Sequence, residues 1–248
     1  MIYGIFSDVH SNLEAFEIVL NFYKKEKIEH FIFLGDIVGY GANPKEVISL
    51  LKKINSIYIA GNHDWATIDK LDLRYFNIYA KEAIVWTKSI LEEEDLLFLN
   101  TFSLVYEGEN FYCVHSSLDI PSQFKYISEP NEAWSNFSLM KKEILFIGHT
   151  HRTEIYHLDN DTLYYYNINT ILKNKEAKFF LKEGKYIVNV GSVGQPRDGD
   201  HRASLCIYDS VEKMLTFKRL EYNIKKASEK ILKKGLPKVL ASRLYFGY

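Results

Sequence analysis

Cysteine and long apolar runs are what this chain has least of. Only Cys113 and Cys206 occur among 248 residues, which excludes a disulfide framework and a cysteine zinc site. Both lie in apolar, strand-like runs and are predicted to be inert core residues. No apolar stretch approaches the roughly 18 residues of a membrane span. The sequence therefore predicts no membrane-spanning segment and no stabilisation by disulfides.

An excess of charge of one sign is missing as well. The 31 Lys and Arg residues are balanced by 32 Asp and Glu residues, and the formal net charge is −1. This balance gives no indication that the partner is a nucleic-acid polymer or a membrane surface. The N-terminus enters a strand-like run at once, which leaves no room for a signal peptide. We therefore expect a cytoplasmic protein.

What the first hundred residues do contain is an alternation of strand and helix patterns. The runs YGIF, HFIFL and SIYIA are typical of buried strands. Ser11 and Glu14 form a capping-box pattern before one helix, and Asn43 with Pro44 fits the start of another. A longer helical region is predicted within 75–98.

The second half is richer in strands. VYEGENFYCV predicts a hairpin that turns at Gly108, and one helix is expected near Glu132. Six further runs are typical of strands: EILFI, TEIYHL, TLYYYN, KYIVNV, ASLCIY and LTFKRL. Early strand–helix units followed by many strands predict one α/β domain over residues 1–248, with a large mixed sheet or two packed sheets.

Side chains that can bind metal follow five of the apolar runs. They are Asp8, His10, Asp36, Asn62, His63, His115, His149 and His151. Residues i and i+2 of an extended chain point to the same side, so Asp8 with His10 is expected to face one ligand. Ligands bind beyond the carboxyl ends of strands in open α/β sheets. The set exceeds one tetrahedral ion and suits two divalent ions about 3.5–4 Å apart.

The order of these residues carries a resemblance to a known family. The series DVH, GD, GNHD, a single His and GHTH resembles the signature of the calcineurin-like metallophosphoesterases. The resemblance extends over almost the whole chain and is to the compact bacterial and archaeal phosphoesterases of this length. The runs that carry it are SDVHSNLEA, GDIVGYG, GNHD, GHTHR and NVGSVGQPRDGD. The resemblance implies a four-layer α/β/β/α sandwich of two mixed sheets, here within residues 1–222, with a two-metal site at the strand ends.

The resemblance also implies which ligands belong together. One ion would be held by Asp8, His10 and His151. The other would be held by Asn62, His115 and His149, with Asp36 bridging the two. Imidazole and oxygen ligands suit several divalent metals, of which Mn²⁺ is expected first, with Fe, Zn²⁺ or Ni²⁺ as alternatives.

A mechanism follows from the same resemblance. A hydroxide held between the two ions is implied to attack phosphorus in line. His63 is implied to lie near the leaving-group oxygen as general acid or phosphate donor, with Asp64 as its orienting partner.

The substrate is less well specified than the chemistry. Protein serine/threonine phosphatases of this family carry Asp-Arg-Gly after GD, whereas this chain has GDIVGYG, so a phosphoprotein substrate is not expected. We predict a phosphoesterase acting on a small phosphodiester or nucleotide-like phosphate. The alternatives are a dinucleoside polyphosphate hydrolase and a non-catalytic protein-binding scaffold of the same fold. A nuclease acting on polymer is disfavoured because no long basic stripe is present.

Two segments outside the ligand set carry further candidates. Asn12 either caps the first helix or contacts substrate. The loop GSVGQPRDGDHR, residues 191–202, is Gly-rich and could form an anion-binding nest in which Arg197 or Arg202 receives a distal phosphate. The alternative is a structural turn in which these arginines pair with Asp198 or Asp200.

The C-terminal tail, residues 223–248, contains seven Lys or Arg residues and one Glu. An amphipathic helix is predicted from the spacing of Ile224, Ala227, Ile231 and Leu232. The helix is expected to break at Gly235 and to be followed by a second short helix. One interpretation is a docked helical hairpin with a solvated basic face. The others are a basic rim that attracts polyphosphate substrates and a homodimer contact.

Overall fold

The computed structural model describes residues 1–172 and 175–248 and contains twelve named strands in two six-stranded sheets. In chain order the strands are β1 (Ile2–Phe6), β2 (His30–Phe33), β3 (Ser56–Tyr58), β4 (Val105–Glu107), β5 (Phe111–Val114), β6 (Ile144–Ile147), β7 (Thr153–Asp159), β8 (Thr162–Asn167), β9 (Glu176–Phe180), β10 (Lys185–Val190), β11 (Ala203–Asp209) and β12 (Met214–Leu220).

Both sheets are mixed, and each contains three parallel strands. The first sheet has the order β3-β2-β1-β11-β12-β9, in which β1, β2 and β3 are parallel and β11 runs antiparallel to β1. The second has the order β4-β5-β6-β10-β7-β8, in which β5, β6 and β10 are parallel. Each sheet therefore presents three neighbouring carboxyl ends at one edge.

The longer helices cover the outer faces of the two sheets. The named helices are α1 (Leu13–Lys25), α2 (Pro44–Leu51), α3 (Asn62–Thr67), α4 (Ile78–Ile90), α5 (Glu93–Asn100), α6 (Pro130–Leu139), α7 (Ile168–Ile171), α8 (Ile224–Lys233) and α9 (Lys238–Ser242). Among the described residues, no helix is both long and apolar enough to cross a bilayer.

Three hydrophobic layers hold the sheets and helices together. Successive side chains of a strand point to opposite faces, so Ile5 of β1 packs between the sheets while Phe6 packs under the helices of the first sheet. In β6, Phe146 packs between the sheets and Leu145 packs against Phe137 of α6. Strands buried on both faces explain the uninterrupted apolar runs, and the predicted four-layer sandwich is confirmed.

Local expectations were met unevenly. The hairpin is present, with Val105 of β4 opposite Val114 of β5, and both cysteines are buried and free. The capping-box prediction was wrong, because Asn12 rather than Ser11 is the N-cap of α1. The helical region within 75–98 is two helices, α4 and α5, separated by two extended residues, Leu91 and Glu92. Strand β9 was not predicted at all.

The C-terminal tail is docked against the first sheet's helical layer. Lys230 of α8 lies 2.6 Å from the buried Glu14 carboxylate at the start of α1. Ile231 and Leu240 are buried in the core that Phe16 also enters. Gly235 follows the end of α8 with φ +72°, as predicted. Leu232, which was expected on the buried face, is instead 47% exposed.

Two neighbouring residues of α8 test this docking. Ile231→Ala should lower the free energy of unfolding by about 2–5 kcal/mol, since the side chain leaves a cavity in a packed core. Leu232→Ala is the matched control on the exposed face and should change the free energy by less than about 1 kcal/mol. Urea denaturation followed by circular dichroism measures both. Equal losses in the two variants would contradict the docked arrangement.

Candidate metal centre

The carboxyl ends of the parallel strands bring the predicted ligand residues to one place. Asp8 and His10 follow β1, Asp36 follows β2, Asn62 opens α3 after β3, His115 follows β5, and His149 and His151 follow β6. Three groups among the Asp and His residues have ligand atoms within 4.8 Å of one another and could hold a metal ion. The groups are Asp8–His10–His151, His10–Asp36–His63 and Asp36–His115–His149.

The ligand-bearing backbone is not extended, which overturns the geometric reason given for pairing Asp8 with His10. Five residues have φ in the left-handed region: Asp8 (54°), His10 (48°), Asp36 (60°), His149 (66°) and His151 (61°). Such values are uncommon outside glycine and cluster at functional sites. The histidines separated by one residue, His149 and His151, face different groups, as the family resemblance implies.

Hydrogen bonds between the loops hold this backbone in place. The amide of His10 donates to Asp36 O (3.0 Å) and the amide of Gly148 donates to His115 O (2.9 Å). A Cβ on Gly148 would lie 2.0 Å from Ser7 Oγ, and a Cβ on Gly61 would lie 2.0 Å from Asp36 Oδ1. Glycine is therefore required at both positions because other chain atoms approach too closely for a side chain.

The orientation of three imidazole rings is fixed by main-chain carbonyls. Nδ1 of His10 contacts Val38 O (3.0 Å), Nδ1 of His115 contacts Leu34 O (2.7 Å), and Nδ1 of His151 contacts Gln195 O (2.5 Å). A carbonyl oxygen only accepts, so each Nδ1 carries a hydrogen, and the lone pair of each Nε2 that holds no proton faces the centre.

Two of these lone pairs face each other directly. His10 Nε2 and His151 Nε2 are 3.1 Å apart, and His151 Nε2 is also 3.1 Å from Asp8 Oδ1. Lone pairs at this separation repel one another unless a cation or proton lies beside them. The first group of residues therefore has the donor set and the electrostatics of a metal site.

Asp36 lies between the two outer groups. Its Oδ1 accepts the main-chain N–H of His63 (2.8 Å), so only Oδ2 faces the centre. Oδ2 is 3.6 Å from His10 Nε2 and 3.4 Å from His115 Nε2. One oxygen, rather than both, is thus in position to be shared between the group around His10 and the group around His115.

Unpartnered buried atoms show how well these residues fit a metal. Three atoms of the predicted ligand residues are buried without a hydrogen-bond partner in the described structure: Asp8 Oδ1, Asn62 Oδ1 and His149 Nε2. His149 Nδ1 lies 3.0 Å from His115 Nε2, a second close approach of ring nitrogens. Burying a polar atom without a partner is costly, and divalent ions would satisfy these nitrogen and oxygen atoms together.

The pKa shifts follow from burial and mutual charge. Burial alone would raise the pKa of Asp36, but the charges of His115, His63 and His10 outweigh it and hold the pKa well below its usual range. Burial would lower the pKa of His115, but Asp36 raises it to about 9. Burial lowers the pKa of His151 to about 4, so this ring is neutral and ready to act as a ligand.

His63 is buried beside the ligands but is not held by Asp64. Its ring packs against those of His10, Tyr40 and Phe76, with centroid distances of 4.8, 4.5 and 5.1 Å. Burial holds the pKa of His63 well below its usual value. Nδ1 has no hydrogen-bond partner among the described residues.

The predicted role of Asp64 as the orienting partner of His63 is therefore wrong. Its carboxylate accepts main-chain N–H groups of Asp36 (2.8 Å), Ile37 (3.0 Å) and Gly61 (3.0 Å). Burial and the charge of Asp36 raise the pKa of Asp64 to about 7. Asp64 thus positions the Asp36 loop, a role that the spacing within GNHD did not indicate.

The three residues predicted to contact substrate differ in whether their side chains are already paired within the protein. Asn12 uses both polar groups internally, since Oδ1 accepts from the Ala15 amide (3.2 Å) and Nδ2 donates to Gly194 O (2.9 Å). Arg202 forms a two-point ion pair with Asp200, the structural alternative. Arg197 lines the same small cavity as Asp36 and His63 and remains available to a ligand.

Sequence analysis missed the aromatic residues around the centre. The ring of Tyr126 is stacked on His149 at 4.1 Å between centroids and is half exposed. Next to it lies a cavity of about 590 Å³, lined among others by Tyr75, Phe76 and Phe124. These residues lie in irregular segments and follow no periodic pattern, so nothing in the sequence distinguishes them from other aromatic residues.

Asp36→Asn tests the shared position of this carboxylate. The amide lacks the charge needed to hold two cations close together, so the variant should retain less than half of the metal that the wild type retains after dialysis. Metal per chain, measured by atomic emission, gives the result. Asp69→Asn, which changes an exposed carboxylate, is the control and should behave as wild type. Full retention by Asp36→Asn would remove Asp36 from a bridging position.

The chain is similar to known proteins over almost its whole length. Residues 1–213 match the family model described as the calcineurin-like phosphoesterase superfamily domain. An uncharacterized protein of Methanocaldococcus jannaschii is 39% identical over 249 residues, which cover 98% of this chain and 97% of that protein. A metallophosphoesterase from Sphaerobacter thermophilus has a TM-score of 0.86 at 35% identity, covering 100% of this chain and 99% of its own.

A hypothetical protein from Pyrococcus horikoshii shares the fold, with a TM-score of 0.78 at 21% identity over 100% of this chain and 98% of its own. The family is metal-dependent and hydrolyses phosphoester bonds, in keeping with the clustered Asp and His residues. The chain belongs to the calcineurin-like phosphoesterase superfamily.

Proposed function

We propose that the protein is a phosphoesterase that holds two divalent ions and hydrolyses phosphodiesters or nucleotide-like phosphates. Mn²⁺ is the first candidate for the ions. The observation that carries the proposal is the position of Asp36 Oδ2, 3.6 Å from His10 Nε2 and 3.4 Å from His115 Nε2. One ion would lie with Asp8, His10 and His151, and the other with Asn62, His115 and His149. Asp36 would contribute to holding both.

The protein residues would divide the chemistry with the bound ions. When bound, the ions would neutralise the phosphoryl oxygens and lower the pKa of the attacking water. Asn62 would add a neutral oxygen, which limits the negative charge facing an anionic substrate. The hydrogen bonds from His10, His115 and His151 to main-chain carbonyls would keep their Nε2 atoms in place throughout turnover.

His63 is the proposed donor to the leaving-group oxygen. In the free protein its lowered pKa leaves the ring neutral, with one N–H to donate. A phosphate anion bound beside the ring would favour the imidazolium and raise that pKa, which suits a general acid. The packing against Tyr40 and Phe76 would hold the ring in one orientation, although no carboxylate in the described part of the chain hydrogen-bonds to it.

The aromatic cavity supports a nucleotide-like leaving group. Its volume of about 590 Å³ lies in the range of small-molecule sites, and the exposed faces of Tyr75 and Tyr126 could stack on a planar base.

A dinucleoside polyphosphate hydrolase is the second candidate, favoured by the same cavity together with Arg197 at the metal centre. A protein-binding scaffold would need neither feature.

Removal and restoration of metal tests the proposed function. Chelator treatment should abolish hydrolysis by the wild-type protein, and added Mn²⁺ should restore it. Activity is measured on a phosphomonoester, a phosphodiester, a cyclic nucleotide, diadenosine tetraphosphate and a phosphopeptide. Asp36→Asn, purified in the same way, controls for contaminating phosphatases. Full activity in a verified metal-free sample would contradict the mechanism, and no turnover of any substrate would favour the scaffold.

His63→Ala should slow hydrolysis without releasing metal. General acid catalysis contributes about 10²–10⁴-fold, and its contribution grows with the basicity of the leaving group. The variant should therefore lose far more activity on an ester with an alkoxide leaving group, such as a ribose 5′-oxygen, than on a p-nitrophenyl ester. Both rates are measured at equal metal content, with His201→Ala as an exposed histidine control. Equal losses on the two esters would reduce His63 to a phosphate contact, and lost metal would make it a ligand.

A further inference from the structure

A second arginine, from the C-terminal tail, lies next to Arg197. Arg243 lies in a 3₁₀ turn directly after α9, and its Nη1 donates to Gln195 Oε1 (3.3 Å). Nη2 of Arg197 donates to the same oxygen (2.9 Å). One neutral amide oxygen therefore holds two guanidinium groups next to each other, although they are 46 positions apart in the chain.

Among the described residues, neither of these arginines pairs with an Asp or Glu side chain. Within residues 1–172 and 175–248, no Asp or Glu carboxylate lies within ion-pair distance of Arg197 or Arg243, whereas Arg202 pairs with Asp200 and Arg219 pairs with Asp198. Arg197 Nε is buried without any hydrogen-bond partner. Adjacent like charges repel, and a buried donor without an acceptor costs free energy. An anion bound between them would relieve both problems.

Arg197 and Arg243 lie beside residues of the metal centre. Gln195 O is the acceptor that orients His151, so the residue holding both arginines also positions a ligand. The Arg197 guanidinium lies 5.6 Å from the centre of the Tyr40 ring and lines the cavity that contains His63. A phosphate bound by the arginines would therefore lie beside a phosphate held at the metal centre.

The tail holds Arg243 firmly enough to act as part of the site. The Gly199 amide, in the loop that carries Arg197, donates to Gly247 O (3.0 Å). Nε of Arg243 donates to the main-chain oxygen of Tyr248 (2.8 Å), and Leu244 next to it is buried in the core. The docking of the tail thus fixes the second arginine against the loop that carries the first.

We propose that Arg197 and Arg243 bind a second phosphate of the substrate, so that the protein prefers molecules with two linked phosphates over molecules with one. This inference rests on the proposed function, because the first phosphate is the one at the metal centre. It identifies phosphoanhydrides of the nucleoside polyphosphate type as the substrate class. The exposed lysines of the tail contribute only a general attraction that salt would screen.

Equilibrium binding of two phosphonates to the Mn²⁺-loaded protein tests the proposal without turnover. Methylenediphosphonate carries two linked phosphonate groups and methylphosphonate carries one, and neither is hydrolysed. Wild type should bind the diphosphonate at least about tenfold more tightly, since charge-assisted hydrogen bonds are the strong ones. Calorimetry measures both affinities. Chelation of free Mn²⁺ is the same for every variant, so differences between variants report the protein.

Arg243→Ala should weaken diphosphonate binding about tenfold or more and methylphosphonate binding far less. Arg243→Lys should lie between it and wild type, because a single ammonium replaces the planar guanidinium. Lys233→Ala removes the same charge from an exposed position of the tail and should match wild type. Metal content and the urea midpoint verify that each variant is folded.

Three results would overturn the proposal. They are equal affinity of wild type for the two phosphonates, equal weakening of both by Arg243→Ala, and the same loss in Lys233→Ala. Failure of the proposed function would be recognised separately, as absence of hydrolysis of every substrate by metal-loaded wild type. The diphosphonate preference is measured at equilibrium and does not depend on that result.

Discussion

The mutual repulsion of lone pairs at the strand ends is the constraint on which the rest of this site depends. His10 Nε2 and His151 Nε2 lie 3.1 Å apart because main-chain carbonyls hold the opposite side of each ring. Neither ring can turn away without breaking that hydrogen bond. The left-handed backbone at the ligand residues and the glycines beside them all serve to bring these atoms together. Such an arrangement favours a cation or a proton beside the two nitrogens, and the donor set suits a divalent ion.

The two outer groups of ligands each draw on both sheets. Asp8 and His10 come from the first sheet and meet His151 from the second, while His115 from the second meets Asp36 from the first. Metal bound to either group would therefore join the two sheets across the edge of the core between them. A ligand that binds only the folded state stabilises it by mass action, so metal affinity and the stability of the sandwich are coupled.

The parts of this structure that could be predicted are those specified by neighbouring residues. Apolar runs ending in Asp, Asn or His identified the strands and the candidate ligands, and the order of the motifs identified the family. The extended-chain argument failed at Asp8, because β1 ends at Phe6 and the following residues turn with positive φ. Strand β9 escaped notice because its sequence, EAKFF, is partly exposed and lacks a clear alternation. Asp64 could not be assigned from sequence, since two of the three amides it accepts from lie in a loop almost thirty residues earlier.

The basic tail shows most clearly why charge composition does not determine role. Seven cationic side chains lie in residues 223–248, yet they have different surroundings. Lys230 is partly covered beside Glu14, Lys233 is exposed to solvent, and Arg243 shares Gln195 Oε1 with Arg197. The packing of α8 and α9 gives Arg243 surroundings that differ from those of the lysines. No local sequence pattern specifies this packing. The aromatic cavity lies beside His149 and the arginine pair beside His151, so the flanks of the centre differ in chemistry. A substrate with a planar group and a second phosphate would match that asymmetry, whereas a simple phosphomonoester would use only the metal centre.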